Sequence, residues 1–347
     1  MMTTSYISSL SLWNAPRSGV GRLQAEIAKA TQEIANGGRY ADTGLALGNQ
    51  VSRSFSLRQS AAEIAALKDG NGVTASRLSM TQAVLQQMQK SADAQFAALT
   101  ALPVDKRLAA LSASANDMMT SFTSLLNSSS DGQALFSGTN TGSYPLRDGA
   151  GATAKAAVLT AFQDAFGFAP SDARAANLTA SQIQNFLEGT IAAQFGNPTW
   201  GTTWSQASST TITSRISLSE TATTSVSADA MPFRQLAQAA TIAGIDFSGL
   251  SADAQAAVSG RVMGLLSKGS AGLVSIQADL GRSQSRITDA NSRLDAQQTL
   301  ITKEISGLES VDPVEAKTRL DAASTQLQMS YALTAQIQGL TLLKYLS

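Results

Sequence analysis

The chain has 347 residues, and its 25 Lys and Arg balance its 25 Asp and Glu, so that the net charge is zero. A protein without excess positive charge is not expected to bind nucleic acid or an anionic membrane. Because the sequence contains neither cysteine nor histidine, it has no disulfide framework, thiolate nucleophile or Cys/His metal site, and we expect no cofactor.

The N-terminal sixteen residues lack the basic and continuous apolar regions of a cleavable secretory signal. No run reaches the roughly 18 apolar residues that a membrane span requires. Hydrophobic residues make up 43% of the chain, but aromatic residues only 5%. This small-residue composition favours helices packed through narrow seams, and the sequence therefore predicts a mainly α fold.

The first predicted helix follows Pro16 and ends at Asn36-Gly37-Gly38, where glycines suit a left-handed cap. Its apolar residues step by three and four, as in a coiled coil. They are Val20, Leu23, Ile27, Ala30 and Ile34. We interpret residues 1–49 as an N-terminal assembly segment.

A second helix is predicted from Gln50 to Ala101, weakened at Gly70 and Gly72, before Pro103 ends it. A further helix begins near Asp105. The apolar stripe of the second helix repeats every seven residues at Leu78, Leu85, Ala92 and Leu99. Residues 50–137 are predicted as the N-terminal part of a helical stalk.

The pattern changes after residue 128, and the middle of the chain is predicted as a small inserted α+β domain, residues 138–250. Thr179 and Gln182 form a capping-box pattern that opens a helix through Ala193. Alternating apolar residues at 212–218 and 226–228 predict a β-hairpin. A short helix is expected over 233–245.

Two further helices are predicted over 252–267 and from Gly272 to Leu308, and residues 251–311 form the C-terminal part of the stalk. The longer helix has a strict seven-residue repeat, in which Gln297 is a polar seam position that we expect to fix register. The apolar members of the repeat are Leu280, Ile287, Leu294, Ile301 and Leu308.

Asp312-Pro313-Val314-Glu315 predicts a new helix, with Asp as the cap and Pro at the first helical position. We interpret residues 312–347 as a C-terminal assembly helix. Its apolar stripe comprises Leu320, Ala323, Leu327, Tyr331, Ile337 and Leu340.

Apolar heptads at both ends predict a long antiparallel, coiled-coil-like helical stalk built from both chain ends. A stripe of this kind is buried only against another helix. We therefore expect the terminal helices to pack against each other and against further copies. The alternative is that they are the core of a monomeric bundle.

Three other readings concern chemistry. Trp200 and Trp204 could form a sugar-stacking platform, although filling the core of the inserted domain is the favoured interpretation. Asp229, Asp246 and Asp253 could supply paired acids for hydrolysis, but solvated loop caps are favoured. The Gly-rich stretch 138–151 lacks a phosphate-binding motif, so a turn is expected there.

Three segments resemble one family. Gln133-Ala134-Leu135, followed by Phe136-Ser137-Gly138-Thr139, resembles the turn after the N-terminal helices of the hook-associated protein 3 family, the hook–filament junction branch of the flagellin superfamily. Residues 37–48 are similar to a segment of its alphaproteobacterial members, and residues 339–346 resemble their terminus. The Arg-Ile-Ser-Ser-Gly segment of filament flagellins is absent. The resemblance covers about 1–140 and 265–347.

The resemblance implies a structural subunit of the bacterial flagellum and not an enzyme. It implies a homo-oligomeric ring or tube between the first hook–filament junction protein and flagellin. It also implies export by the flagellar type III apparatus, without signal cleavage, to the extracellular flagellum, and an export chaperone that binds the C-terminal helix. The alternatives are a divergent filament-forming flagellin and a glycan-binding surface protein on a flagellin scaffold.

Overall fold

A computed structural model describes the backbone of residues 9–345 and the side chains of residues 18–336. The prediction of a mainly α fold in which long helices pack against each other is confirmed. The chain divides into two compact units. The terminal unit combines the parts of residues 1–65 and 295–347 that the structure describes, and the central unit is Ala66–Leu294.

The terminal unit contains α1 (Ser9–Ala35), α2 (Thr43–Leu47) and α10 (Pro313–Tyr345). It also includes the beginning of α3 (Val51–Thr100) and the end of α9 (Ala252–Glu309). A 3₁₀ turn, Gly48–Gln50, leads from α2 into α3.

Local caps explain where these helices start and stop. Gly37 and Gly38 have φ of 72° and 80°, the left-handed conformation that ends α1 at Ala35 as predicted. α1 nevertheless begins at Ser9, ahead of Pro16, so the predicted start was wrong. Asp312 accepts a 2.8 Å hydrogen bond from the backbone N–H of Val314 and opens α10.

The central unit contains the rest of α3 and α9 together with α4 (Val104–Leu126) and α8 (Met231–Ala243). Gly70 and Gly72 do not interrupt α3.

The predicted break between residues 267 and 272 was wrong, because α9 runs through it without interruption. The glycines there serve packing instead. A Cβ at Gly269 would lie 2.7 Å from Leu236 Cδ2, and one at Gly272 would lie 2.3 Å from Pro232 Cγ. Both neighbours belong to α8, which therefore approaches the backbone of α9 closely.

Shorter elements complete the central unit. They are β1 (Ser129–Ser130), β2 (Gln133–Ala134), α5 (Ala150–Phe166), α6 (Ala180–Phe186), α7 (Ala192–Gln194), β3 (Thr213–Arg215) and β4 (Thr221–Thr223). A 3₁₀ turn, Ala173–Asn177, precedes α6, and single π-helical turns occupy Leu187–Ile191 and Trp200–Trp204.

Two antiparallel hairpins pair β1 with β2 and β3 with β4. In the second, Thr213 faces Thr223 and Arg215 faces Thr221. The second strand therefore precedes the predicted 226–228 segment, in which Ser227 instead bridges Ser137. Thr179 and Gln182 do form the predicted capping box, which opens α6.

The segment 138–250 shares one hydrophobic core with the long helices of the central unit. Fully buried members of this core include Leu78 on α3, Phe162 on α5 and Ile242 on α8. Val262 on α9 belongs to the same cluster. The short elements therefore pack directly on the α3, α4 and α9 framework.

Candidate assembly surface

α1 and α10 pair antiparallel in the terminal unit. The Gln24 amide donates a 3.1 Å hydrogen bond to the Tyr331 hydroxyl at one end of the pair. Toward the other end, Arg319 Nη2 donates a 2.9 Å hydrogen bond to Glu33 Oε2. The helix pair that the apolar stripes predicted is thus formed within one chain.

This pair fully buries mainly small side chains. Ala30, Ala316 and Ala323 are at most 5% exposed. Ile34 is 40% exposed and Tyr331 is 50% exposed. Half-buried positions among the predicted assembly residues are Val20, Leu23, Ile27, Leu320 and Leu327. The side chains of Ile337 and Leu340 lie outside the described residues. The larger apolar side chains therefore keep free surface after α1 and α10 have paired.

A buried carboxylate lies within the same interface. Glu33 is fully buried, and its Oε1 atom has no hydrogen-bond partner among the described residues. Arg319 pairs with it and also lies 4.0 Å from Glu26 and 3.8 Å from Glu315. A buried charge is tolerated only with a close partner, which makes Arg319 the residue that keeps Glu33 compatible with the helix pair. The signal in the sequence was the position of Glu33, three residues after Ala30 on the apolar stripe.

A second polar cluster joins the start of α3 to the end of α9. Glu309 is buried and accepts hydrogen bonds from Arg58 at 2.8 and 2.5 Å and from the Ser54 hydroxyl at 2.5 Å. The hydrogen bond from Arg58 outweighs burial and lowers the pKa of Glu309, and the same contact raises the pKa of Arg58. Since these side chains are polar, apolar periodicity did not find them.

Backbone hydrogen bonds also link the two connecting segments of the terminal unit. Val311 N–H donates to Gly38 O at 2.7 Å, and Tyr40 N–H donates to Glu309 O at 3.0 Å. The turn after α1 is thereby bonded to the turn between α9 and α10.

Large apolar side chains are exposed on the terminal unit. Phe55 is 69% exposed and Leu45 is 76% exposed. Leu300, Val314, Met329 and Leu333 are also exposed. Among the described residues, nine large apolar side chains are exposed on the terminal unit and eight on the longer central unit, so that their density is higher on the terminal unit. A higher density of exposed apolar side chains favours a surface that a partner covers.

The predicted stalk seam is divided between the units. In the central unit, Leu78, Leu85, Leu99, Leu280, Ile287 and Leu294 are buried. In the terminal unit, Ile301 and Leu308 are half-buried. Gln297, which was predicted as a polar seam position that fixes register, is exposed in the single chain. Ala290 and Leu294 of α9 are buried in the seam, and the next position of the repeat, three residues after Leu294, is not.

The turn that resembles the junction family joins three segments of the central unit. Phe136 is fully buried and meets Phe233 edge to face, with ring centroids 5.6 Å apart. Gly138 has φ of 60°, and Thr139 N–H donates to Thr210 O at 3.0 Å. A Cβ at Gly138 would lie 2.4 Å from Ser208 O, which no side chain tolerates.

The residues proposed for other chemistry have structural roles here. Trp200 and Trp204 stack on each other with centroids 5.4 Å apart and are at most 1% exposed, so neither offers a ring face to a sugar. Asp229 accepts a hydrogen bond from Trp200 Nε1 at 3.1 Å. Asp246 accepts a 3.0 Å hydrogen bond from the backbone N–H of Ser248, and the side-chain hydrogen bond of Ser248, followed by this backbone bond, lowers the pKa of Asp246.

Within the part of the chain that the structure describes, no group of three or more acidic residues is placed to hold a metal ion. Across the same residues, no helix is long and apolar enough to cross a membrane.

Two family models match the chain. The bacterial flagellin N-terminal helical region matches residues 7–141, and the bacterial flagellin C-terminal helical region matches residues 264–346. Together they cover more than half of the chain. Among curated proteins, no relative matches it.

Flagellins are structural, non-enzymatic proteins that are exported to the extracellular flagellum and self-assemble into its polymers. The N- and C-terminal matches meet in the terminal unit, where α1 pairs with α10 and exposed apolar side chains surround them. This chain belongs to the bacterial flagellin family and is a structural subunit of the flagellum.

Proposed function

We propose that the chain is a subunit of the hook–filament junction, forming a homo-oligomeric ring or tube between the first junction protein and flagellin. The observation that carries the proposal is the incomplete burial of the terminal unit. Its helix pair fully buries Ala30, Ala316 and Ala323, while Phe55 and Leu333 stay exposed. Neighbouring subunits would cover these side chains.

The assembly residues follow from the same argument. The segments 1–49 and 312–347 would supply the inter-subunit contacts together with Phe55, which lies at the start of α3. The half-buried Val20, Leu23 and Ile27 on α1, with Leu320 and Leu327 on α10, would complete their burial between copies. The export chaperone would bind α10 before assembly, when no neighbouring subunit covers the surface that this helix leaves free beside α1.

A junction role is preferred to a filament role because the turn at Phe136, Gly138 and Thr139 resembles the turn of the junction family. Only glycine fits position 138, where φ is positive and two carbonyl oxygens would lie 2.4 and 2.5 Å from a Cβ. The absence of Arg-Ile-Ser-Ser-Gly supports the same choice. The flagellin family matches are equally compatible with a divergent filament-forming flagellin.

Electron microscopy of the purified chain separates these two functions. The chain would be incubated alone and with isolated hooks that carry the first junction protein. A junction subunit binds the hook ends, allows added flagellin to grow there and forms no long filaments alone. Micrometre filaments from the chain alone would identify a flagellin, and failure both to bind hooks and to polymerise would overturn either function.

A further inference from the structure

An apolar crevice of about 420 Å³ opens on the surface of the central unit and is lined by α3, α4, α8 and α9. Its floor is formed by Met88, Phe122, Leu236 and Leu266, all at most 7% exposed. Ligand pockets of about 300–1,000 Å³ hold small organic molecules. The crevice is therefore large enough for one.

Small side chains keep the crevice open. Ala92, Ala98 and Ala240 line it, and larger side chains at these positions would fill it. Met88 and Met118 supply flexible, polarizable walls that adapt to an apolar occupant. An unfilled space of this kind forfeits packing contacts, which an apolar ligand would restore.

The polar groups of the lining indicate which ligand would bind. They are Ser91, Gln95, Asp117 and Ser121. Asp117 is the charged member of the lining, is exposed, and makes neither a hydrogen bond nor an ion pair within the described residues. A cationic group held there would meet a carboxylate that has no competing partner.

We propose that this crevice binds an amphiphile with a single hydrocarbon chain and a cationic head, with the chain between α3 and α4 and the head at Asp117. The site is independent of the assembly surface, because all of its lining residues belong to the central unit. The proposal does not rest on the junction role.

The test uses the full chain and octyltrimethylammonium below its micelle concentration, with octyl sulfate as the matched anionic probe. Titration calorimetry measures affinity, and methyl NMR of the methionines locates binding. Met88 and Met118 line the crevice, while Met80 and Met231 are exposed elsewhere and report non-specific contact. We expect saturable shifts at the first pair and binding of the cation preferred over the anion.

Two sets of variants separate the chain site from the head site. Ala92→Leu fills the crevice and should abolish binding, and Ser121→Leu at the half-buried wall is the second variant should the first not fold. Asp117→Asn should lower the affinity for the cationic probe by about threefold at low salt, which is the effect expected for an exposed ion pair. The same variant should no longer prefer the cationic probe over the anionic one. Asp105→Asn lies on the same helix but outside this crevice, and it should change neither the affinity for the cationic probe nor the preference over the anionic one.

Several results would overturn the proposal. They are equal affinity for both probes, unchanged affinity in the filling variants, and equal shifts at all four methyl groups. The absence of any saturable binding by the wild-type chain would overturn it as well.

Discussion

Single residues hold the terminal unit together through polar contacts that its apolar stripes do not show. Glu309 has almost no exposed surface, yet it is ionised and bonded to Arg58 and Ser54. Since Arg58 is itself about half exposed, solvent moderates its attraction. The strength of the cluster lies mainly in satisfying the buried carboxylate.

This cluster predicts acid sensitivity. The pKa of Glu309 in the folded chain is below its ordinary value of 4.5, so its stabilisation is complete above that value and is lost as pH falls through the folded pKa. We expect Glu309→Gln to cost about 2 kcal/mol at pH 7. The cost should shrink toward pH 3 in urea unfolding monitored by circular dichroism.

Glu304→Gln is the matched control, because Glu304 pairs with Arg53 at 3.3 Å on the exposed surface. It should change stability by less than about 0.5 kcal/mol. A Glu309→Gln cost that does not vary with pH would show that the carboxylate is not ionised in the fold.

Gly138 is the other residue whose identity the fold dictates. Gly138→Ala combines a left-handed backbone with contacts of 2.4 and 2.5 Å to the carbonyl oxygens of Ser208 and Thr210. We expect a loss of at least about 2 kcal/mol in urea unfolding. Gly142→Ala, in the same loop with nothing within 4 Å, should be near neutral. Equal effects of the two substitutions would contradict the close approach.

At the scale of elements, the sequence predicted helix identities well and helix interruptions poorly. The heptads identified α3, α9 and α10, and Asp312 with Pro313 marked the start of α10. Gly70 and Gly72 were predicted to weaken α3 but do not interrupt it, and Gly269 and Gly272 lie inside the unbroken α9. Whether a glycine breaks a helix or admits a neighbour depends on α8, which is distant along the chain.

Glycine substitutions along α9 test this packing. Gly272→Ala would place Cβ 2.3 Å from the Pro232 ring and should destabilise the central unit by about 1–3 kcal/mol. Gly264→Ala meets nothing within 4 Å and should stabilise the helix by about 0.5–1 kcal/mol. Thermal unfolding of the two variants should therefore shift in opposite directions. A shift in the same direction would mean that α8 does not rest on α9 at Gly272.

The narrow seam between α1 and α10 gives a second element-scale prediction. Ala30 is fully buried against α10, so Ala30→Leu should force the helices apart at a cost of about 1–3 kcal/mol. Hydrogen exchange should then accelerate across both helices. Ala28→Leu, on the exposed face of α1, should leave exchange unchanged. Unaltered exchange in Ala30→Leu would contradict the pairing.

For the whole molecule, the sequence indicated that the two ends of the chain come together. It did not indicate how many polar contacts connect them within the terminal unit. The apolar stripes predicted the α1–α10 pair, whereas the Glu33–Arg319 and Glu309–Arg58 contacts depend on residues about 250–290 positions apart. Such pairs leave no periodic signal. The middle segment was predicted as an insert, and its residues share the core of the central unit because their apolar side chains meet α3, α4 and α9.

The central claim is that exposed apolar side chains of the terminal unit mediate assembly. The most direct measurement counts hook ends occupied by fluorescently labelled chain. It compares wild type with Phe55→Ser/Leu333→Ser and with the matched central-unit variant Val73→Ser/Val104→Ser, all four residues being at least half exposed. We predict that the terminal-unit variant stays folded but loses most of its occupancy, while the central-unit variant binds as wild type does. Full occupancy by the terminal-unit variant would contradict the account.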